Sequence, residues 1–152
     1  ELKISQVDGS GWLDAPRAKT GVERRIPLWP ETEKALQEVL RHRPEPTNPA
    51  DAALLFIGQR GSNYVGTKNG DRIYKPTKKV FPGNRSFYGL RHTFETIGGE
   101  SIDQVAVNAI MGHVDTTMAG QYRERISDER LKAVTDTIHN WLYAEDSEKA
   151  GE

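Results

Sequence analysis

Three side chains capable of phosphate chemistry fall at helix boundaries in the second half of this 152-residue chain: Arg91, His113 and Tyr122. Arginine offers a planar, permanently charged fork to phosphate oxygens. Histidine can donate a hydrogen bond or exchange a proton near neutral pH. Tyrosine can act as a nucleophile, though with a free pKa of about 10 it needs a base or a strong positive field. Arg91 lies in a helix that begins just after a basic stretch. His113 follows Gly112 at a break between two helices, and Tyr122 stands nine residues further on. Each has a plainer use. Arg91 could pair with Glu95 at i+4, His113 could cap a helix, and Tyr122 could simply pack. Residue types and spacing leave both uses open.

The charge distribution bears on the choice. The chain carries 21 Lys+Arg and 22 Asp+Glu, a formal net charge of −1. That near-neutral total conceals a strong asymmetry. Residues 60–91 hold Arg60, Lys68, Arg72, Lys75, Lys78, Lys79, Arg85 and Arg91 against Asp71 alone, a net of +7. Residues 92–152 hold five basic and twelve acidic side chains, a net of −7. A basic block interleaved with Tyr64, Tyr74, Phe81, Phe87 and Tyr88 is the composition that tracks a phosphate backbone. Lys68, Arg72, Lys75, Lys78, Lys79 and Arg85 are its candidate DNA contacts. Charge alone fits a solvated loop equally well.

Length and composition bound the rest. A chain of 152 residues is one domain's worth. The absence of cysteine excludes a disulfide framework, a thiolate metal site and a catalytic thiol. His42, His92, His113 and His139 are scattered without ligand spacing, so neither a metal nor another cofactor is expected. The longest uninterrupted apolar run, Ala52–Ile57, is far short of the ~20 residues that span a bilayer. No stretch reads as a signal peptide.

The elements that must position the three residues can be read in outline. Trp12–Pro16 and Glu23–Leu28 read as strands of a hairpin around Lys19-Thr20-Gly21. Pro30–Arg43 reads as a helix with Ala35, Leu36, Val39 and Leu40 on its buried face, and Arg41, His42 and Arg43 complementing its C-terminal end. A Pro-rich loop follows, and Leu54–Ile57 reads as a short buried strand or core run. A short helix is expected near Lys75–Val80. Tyr88–Ile97 reads as a helix closed by Gly98-Gly99. Ser101 and Gln104 suggest a capping box, followed by Ile102, Val105, Ala106, Ala109 and Ile110 as an apolar face. A short helix is expected over Asp115–Tyr122. The last helix, capped by Ser127, should bury Leu131, Val134, Ile138, Trp141 and Leu142. Residues 144–152 read as an acidic, disordered tail.

Tyr88-Gly-Leu-Arg91-His-Thr-Phe, then Met111-Gly-His113-Val-Asp-Thr-Thr, then Gln121-Tyr122 resemble the C-terminal signature of the tyrosine recombinases, the phage integrase family. Lys19-Thr-Gly-Val-Glu-Arg-Arg-Ile-Pro-Leu28 resembles the β-hairpin that carries that family's catalytic lysine. The resemblance runs from about Leu2 to Trp141, and four pieces in the right order make it specific. It implies an α+β, mostly helical fold: a small N-terminal antiparallel sheet or hairpin followed by a helical bundle. It also implies a catalytic domain over residues 1–143, truncated on its N-terminal side. The implied activity is site-specific recombination of double-stranded DNA, by cleavage and rejoining through a covalent 3′-phosphotyrosyl intermediate. Tyr122 would be the nucleophile and Arg91 the second phosphate-clamping arginine. Lys19 would be the general acid, and His113 a hydrogen-bond partner of the phosphate. A homotetramer on DNA is implied for the full-length protein, in the cytoplasm and associated with the nucleoid of a bacterium or archaeon, or of phage origin.

Two departures stand out. The family usually has histidine three residues before the second arginine, where this chain has Tyr88. Its first clamping arginine normally lies just before the region matching residues 1–7. Arg17, Arg24 and Arg25 belong to the hairpin and its second strand, which makes them poor substitutes. The chain therefore reads as a piece of a longer protein, inactive or severely impaired by itself. A DNA-binding module derived from a recombinase, without cleavage, is the alternative reading.

Overall fold

The computed structural model describes residues 2–64, 79–81, 83 and 85–149, with side chains as far as residue 144. Two strands, β1 (Trp12–Asp14) and β2 (Arg25–Pro27), form an antiparallel hairpin in the register Trp12↔Pro27, Leu13↔Ile26, Asp14↔Arg25. Among the described residues five α-helices of at least five residues follow: α1 (Pro30–Arg41), α2 (Phe87–Gly99), α3 (Gln104–Met111), α4 (Met118–Tyr122) and α5 (Asp128–Lys149). The expected α+β, mostly helical architecture is therefore the one observed. Of the expected helix near Lys75–Val80, Lys79 and Val80 are helical, and residues 75–78 lie outside the described residues.

The core gathers where the hairpin, α3 and α5 meet. Trp12, Ala106, Val107, Ile110, Met111, Leu131, Val134 and Ile138 form one buried cluster, with Phe94 and Ile97 of α2 packed against it. Glycine makes one contact possible. A Cβ at Gly98 would lie 3.3 Å from Ile138 Cδ1 and 3.5 Å from Val107 Cγ2, so the bare backbone lets α2 settle onto α3 and α5. The helix takes in Gly98 and ends at Gly99, two residues beyond the expected Ile97. Polar contacts anchor the hairpin to α5: Trp29 Nε1 donates to the Thr135 carbonyl at 3.1 Å, and Arg25 pairs with Asp128 while lying 4.1 Å over the Trp12 ring.

Several local expectations are corrected. α1 ends at Arg41, and Arg43 instead donates to the carbonyls of Leu54, Asp51 and Ala52. None of α1 is buried: Ala35 and Val39 are exposed, and Leu36 and Leu40 are half-buried. Leu54 makes only an isolated bridge to Lys3, although Leu54, Leu55 and Ile57 are buried as expected. The Ser101–Gln104 capping box does not form. Ile102 turns the chain at φ +61° and is fully exposed, so α3 starts later, capped by Asp103, which accepts from Ala106 N at 3.0 Å. Asp103 also holds Arg130 of α5 through two 2.7 Å bonds, and that guanidinium is the main cause of its lowered pKa. The last helix buries Leu131, Val134 and Ile138 but leaves Trp141 and Leu142 about half exposed. It continues to Lys149, so residues 144–149, expected in a tail, are helical.

Truncating Ile138 opens a cavity at the junction of α2, α3 and α5. Ile138→Ala should cost about 2–5 kcal/mol, seen in urea unfolding as a lower midpoint with an unchanged slope.

Candidate active site

Arg91 sits in the second turn of α2, half-buried, with its Nη2 2.6 Å from Nε2 of His113. A guanidinium has only donors, so Nε2 must accept and the imidazole proton belongs on Nδ1. Nδ1 lies 3.2 Å from Asn108 Oδ1. The same oxygen takes a 3.1 Å bond from Gln104 Nε2, which also donates to Glu95 Oε1 at 2.9 Å. The chain of bonds thus leaves α2 at Arg91, crosses α3 and returns to α2 at Glu95. Arg91 does not use Glu95 as an i+4 ion-pair partner; among the described residues Glu95 Oε2 is buried with no hydrogen-bond partner.

The turn after α3 puts His113 in place. Gly112 adopts the left-handed conformation at φ +68°. Gly112 N bonds the Ala109 carbonyl at 3.0 Å and His113 N bonds the Asn108 carbonyl at 2.9 Å. This pair of bonds is a Schellman ending, and it folds residue i+5 back over residue i. Asn108 is thereby placed under the imidazole. Sequence reading missed Asn108, although the Gly-His step and the five-residue spacing carried that signal.

Two further arginines converge on the same corner. Arg17 Nη1 donates to the Gly112 carbonyl at 3.0 Å, and Arg24 Nε donates to the Ala15 carbonyl at 3.0 Å. A Cβ at Gly112 would come within 2.8 Å of Arg24 Cδ and 3.0 Å of Arg17 Cδ, so both stems lie across this glycine. Burial, then repulsion from Arg17 and Arg91, lowers the pKa of Arg24. Among the described residues none of the three arginines forms an ion pair.

The other candidates stand apart from this unit. Tyr122 is 79% exposed at the end of α4, and no hydrogen bond joins it to Arg91 or His113. α4 is held from below. Thr117 Oγ1 accepts from Gly120 N and donates to Asp115 Oδ1, and Arg123 donates to Asp115 Oδ2 at 2.8 Å. Gly120 is needed here because a Cβ would overlap the Asp115 carboxylate. Lys19 is exposed in the hairpin turn. Tyr88 is exposed and packs edge-on against His92, with ring centroids 4.6 Å apart. Lys79 and Arg85 are exposed; Lys68, Arg72, Lys75 and Lys78 lie outside the described residues. Among the described residues no group of His, Asp and Glu could hold a metal ion, and no helix is long and apolar enough to cross a membrane.

The family model described as "Phage integrase family" matches residues 1–129. The chain belongs to the phage integrase family. It is also 29% identical over 141 residues to Tyrosine recombinase XerC of Pelobacter propionicus (strain DSM 2379 / NBRC 103807 / OttBd1), covering 91% of this chain and 45% of that protein. The chain therefore spans about half the length of that relative. No solved structure gives a significant match. Arg91 and His113, which the sequence resemblance singles out, are in direct contact.

The Asp115 bracket under Tyr122 carries a pH signature. Bonds from Thr117 and Arg123 hold the Asp115 carboxyl at about 2, below its ordinary 3.8. A depressed folded-state value means that the bracket is fully formed above about pH 4 and is lost as pH falls through about 2. An NMR titration should find the Asp115 midpoint near 2, and Arg123→Gln should raise it.

Proposed function

We propose that this chain is the catalytic half of a site-specific DNA recombinase. In this reading Tyr122 attacks a backbone phosphodiester, forms a 3′-phosphotyrosyl link and expels a 5′ hydroxyl. The observation that carries it is the Arg91–His113 contact at 2.6 Å, because both side chains then address one phosphate. An entering phosphate oxygen competes for the donors of Arg91, where they offset charge growing on the non-bridging oxygens. His113 Nε2, released from Arg91, can bond the phosphate once it gains a proton. Lys19 in the exposed hairpin turn is free to approach the leaving oxygen as general acid. Tyr88 offers a phenolic donor where the family usually has histidine. Rejoining needs no nucleotide, because the phosphotyrosyl bond conserves the energy of the broken linkage. The activity belongs to a soluble bacterial, archaeal or phage protein working on DNA in the cytoplasm.

Residues 1–16 contain no arginine ahead of the hairpin, which supports a severely impaired cleavage rate for this chain alone. Tyr122, exposed and unbonded to the Arg91–His113 pair, favours the second reading, a module that grips DNA without cutting it. Assembly follows from α5: its first half packs on its own domain, while Trp141 and Leu142 stay half-exposed and available to a neighbouring protomer in a tetramer on DNA.

On nicked DNA half-sites the longer parent protein should form a denaturant-resistant adduct that Tyr122→Phe abolishes without loss of DNA retention. This chain alone should form little or none. Retention without any adduct from the parent would establish the second reading. Sedimentation of the parent on DNA should show a higher oligomer that Trp141→Ala shifts toward monomer; an unchanged distribution would dispose of docking through Trp141.

A further inference from the structure

Three guanidinium groups meet at the corner formed by Gly112 and His113, with no carboxylate partner among the described residues. Arg17 reaches the Gly112 carbonyl, Arg24 lies across Gly112, and Arg91 bonds His113. The local compensation is small. The C-terminal end of α3 carries about half a negative charge, against three full positive charges. His113 is a neutral acceptor in this geometry. Arg24 also lines an open cleft with Asp14, Glu23, Arg123 and Glu124. Asp14 is paired with Arg25 at 2.8 Å, and among the described residues Glu23 and Glu124 form no ion pair. Gathering like charges in a partly buried corner is unfavourable unless a counter-ion enters. Among the described residues each arginine keeps donors in reserve: Arg17 commits one Nη, Arg24 commits Nε, and Arg91 commits one Nη.

We propose that Arg17 and Arg24 complete, with Arg91, a phosphate seat at the Gly112–His113 corner, and that its natural occupant is a phosphodiester of the DNA backbone. In sequence Arg17 and Arg24 belong to the hairpin and its second strand, far from Gly112. The fold brings them to Gly112 because the hairpin docks against α3. Their donors add charge and direction to an oxyanion that Arg91 alone would hold from one side. Burial first, and then repulsion from Arg17 and Arg91, lowers the basicity of Arg24 at this corner. The seat rests on the reading that this chain handles DNA, but it concerns binding and not strand cleavage.

The test uses this chain with inorganic phosphate at constant ionic strength, followed by NMR of backbone amides and arginine Nε–H groups. The Gly112 and His113 amides and the Arg17, Arg24 and Arg91 signals should move together along one saturation curve. Arg24→Gln should weaken the apparent affinity by about tenfold or more, while Arg41→Gln on exposed α1 leaves it unchanged. Shifts confined to other residues, or wild-type affinity in Arg24→Gln, would overturn the seat. If Arg24→Gln does not fold, Arg17→Gln and the wild-type shift map decide in the same way. A short DNA duplex should displace the phosphate from the three arginines; a duplex that binds elsewhere and leaves them unmoved would overturn the DNA occupant. Intact phosphate and duplex binding with no adduct from the longer parent would remove cleavage and leave the seat standing.

Discussion

Arg91 and His113 are 22 residues apart, yet they meet at 2.6 Å because two helices and one turn have no freedom to place them otherwise. α2 lies flush on α3 and α5 through the bare backbone of Gly98. α3 ends in a left-handed Gly112 that folds His113 back over Asn108. Arg91 requires Nε2 to accept, and Nδ1, which then carries the proton, faces Asn108 Oδ1. Helix packing, backbone conformation and tautomer are thus linked in one unit. The hydrophobic cluster from Trp12 to Ile138 holds the frame in which that unit forms.

The hairpin contributes charge to the same place. Trp12 and Trp29 tie it to the helices through burial and the 3.1 Å bond to Thr135, and in doing so they carry Arg17 and Arg24 to Gly112. Glycine at 112 therefore serves two ends. It supplies the positive φ of the turn, and it leaves room for two arginine stems where any Cβ would collide. Tyr122 is held differently, on a one-turn helix braced by Asp115, Thr117 and Arg123 outside the core. On the proposed reading, an arginine-lined corner and an exposed Tyr122 on its own short support suit a reaction in which DNA must bind before the phenol engages.

Much of this was legible in the residues. The hairpin, the helices and the core positions Leu131, Val134, Ile138, Ala106 and Ile110 follow from turn signals and helical period, and Arg91 with His113 follows from the family signature. What escaped has identifiable causes. Periodicity marks an apolar face but not whether anything covers it, so α1 looked buried when Ala35 and Val39 are exposed. Ser101 and Gln104 have the right types for a capping box, but the positive φ at Ile102 shifts the start of α3 and hands the cap to Asp103. Arg17 and Arg24 are 95 and 88 positions from Gly112, and no local pattern could report a contact made only by docking the hairpin on α3.

The Arg91–His113–Asn108 unit makes a statement about a single proton that is independent of DNA. Nitrogen-15 NMR of His113 in the free chain near neutral pH reads it directly. The account predicts a neutral ring with the proton on Nδ1, facing Asn108 Oδ1, and with Nε2 unprotonated and accepting from Arg91. A ring protonated at Nε2 alone would contradict the Arg91–His113 geometry on which the proposed phosphate site rests.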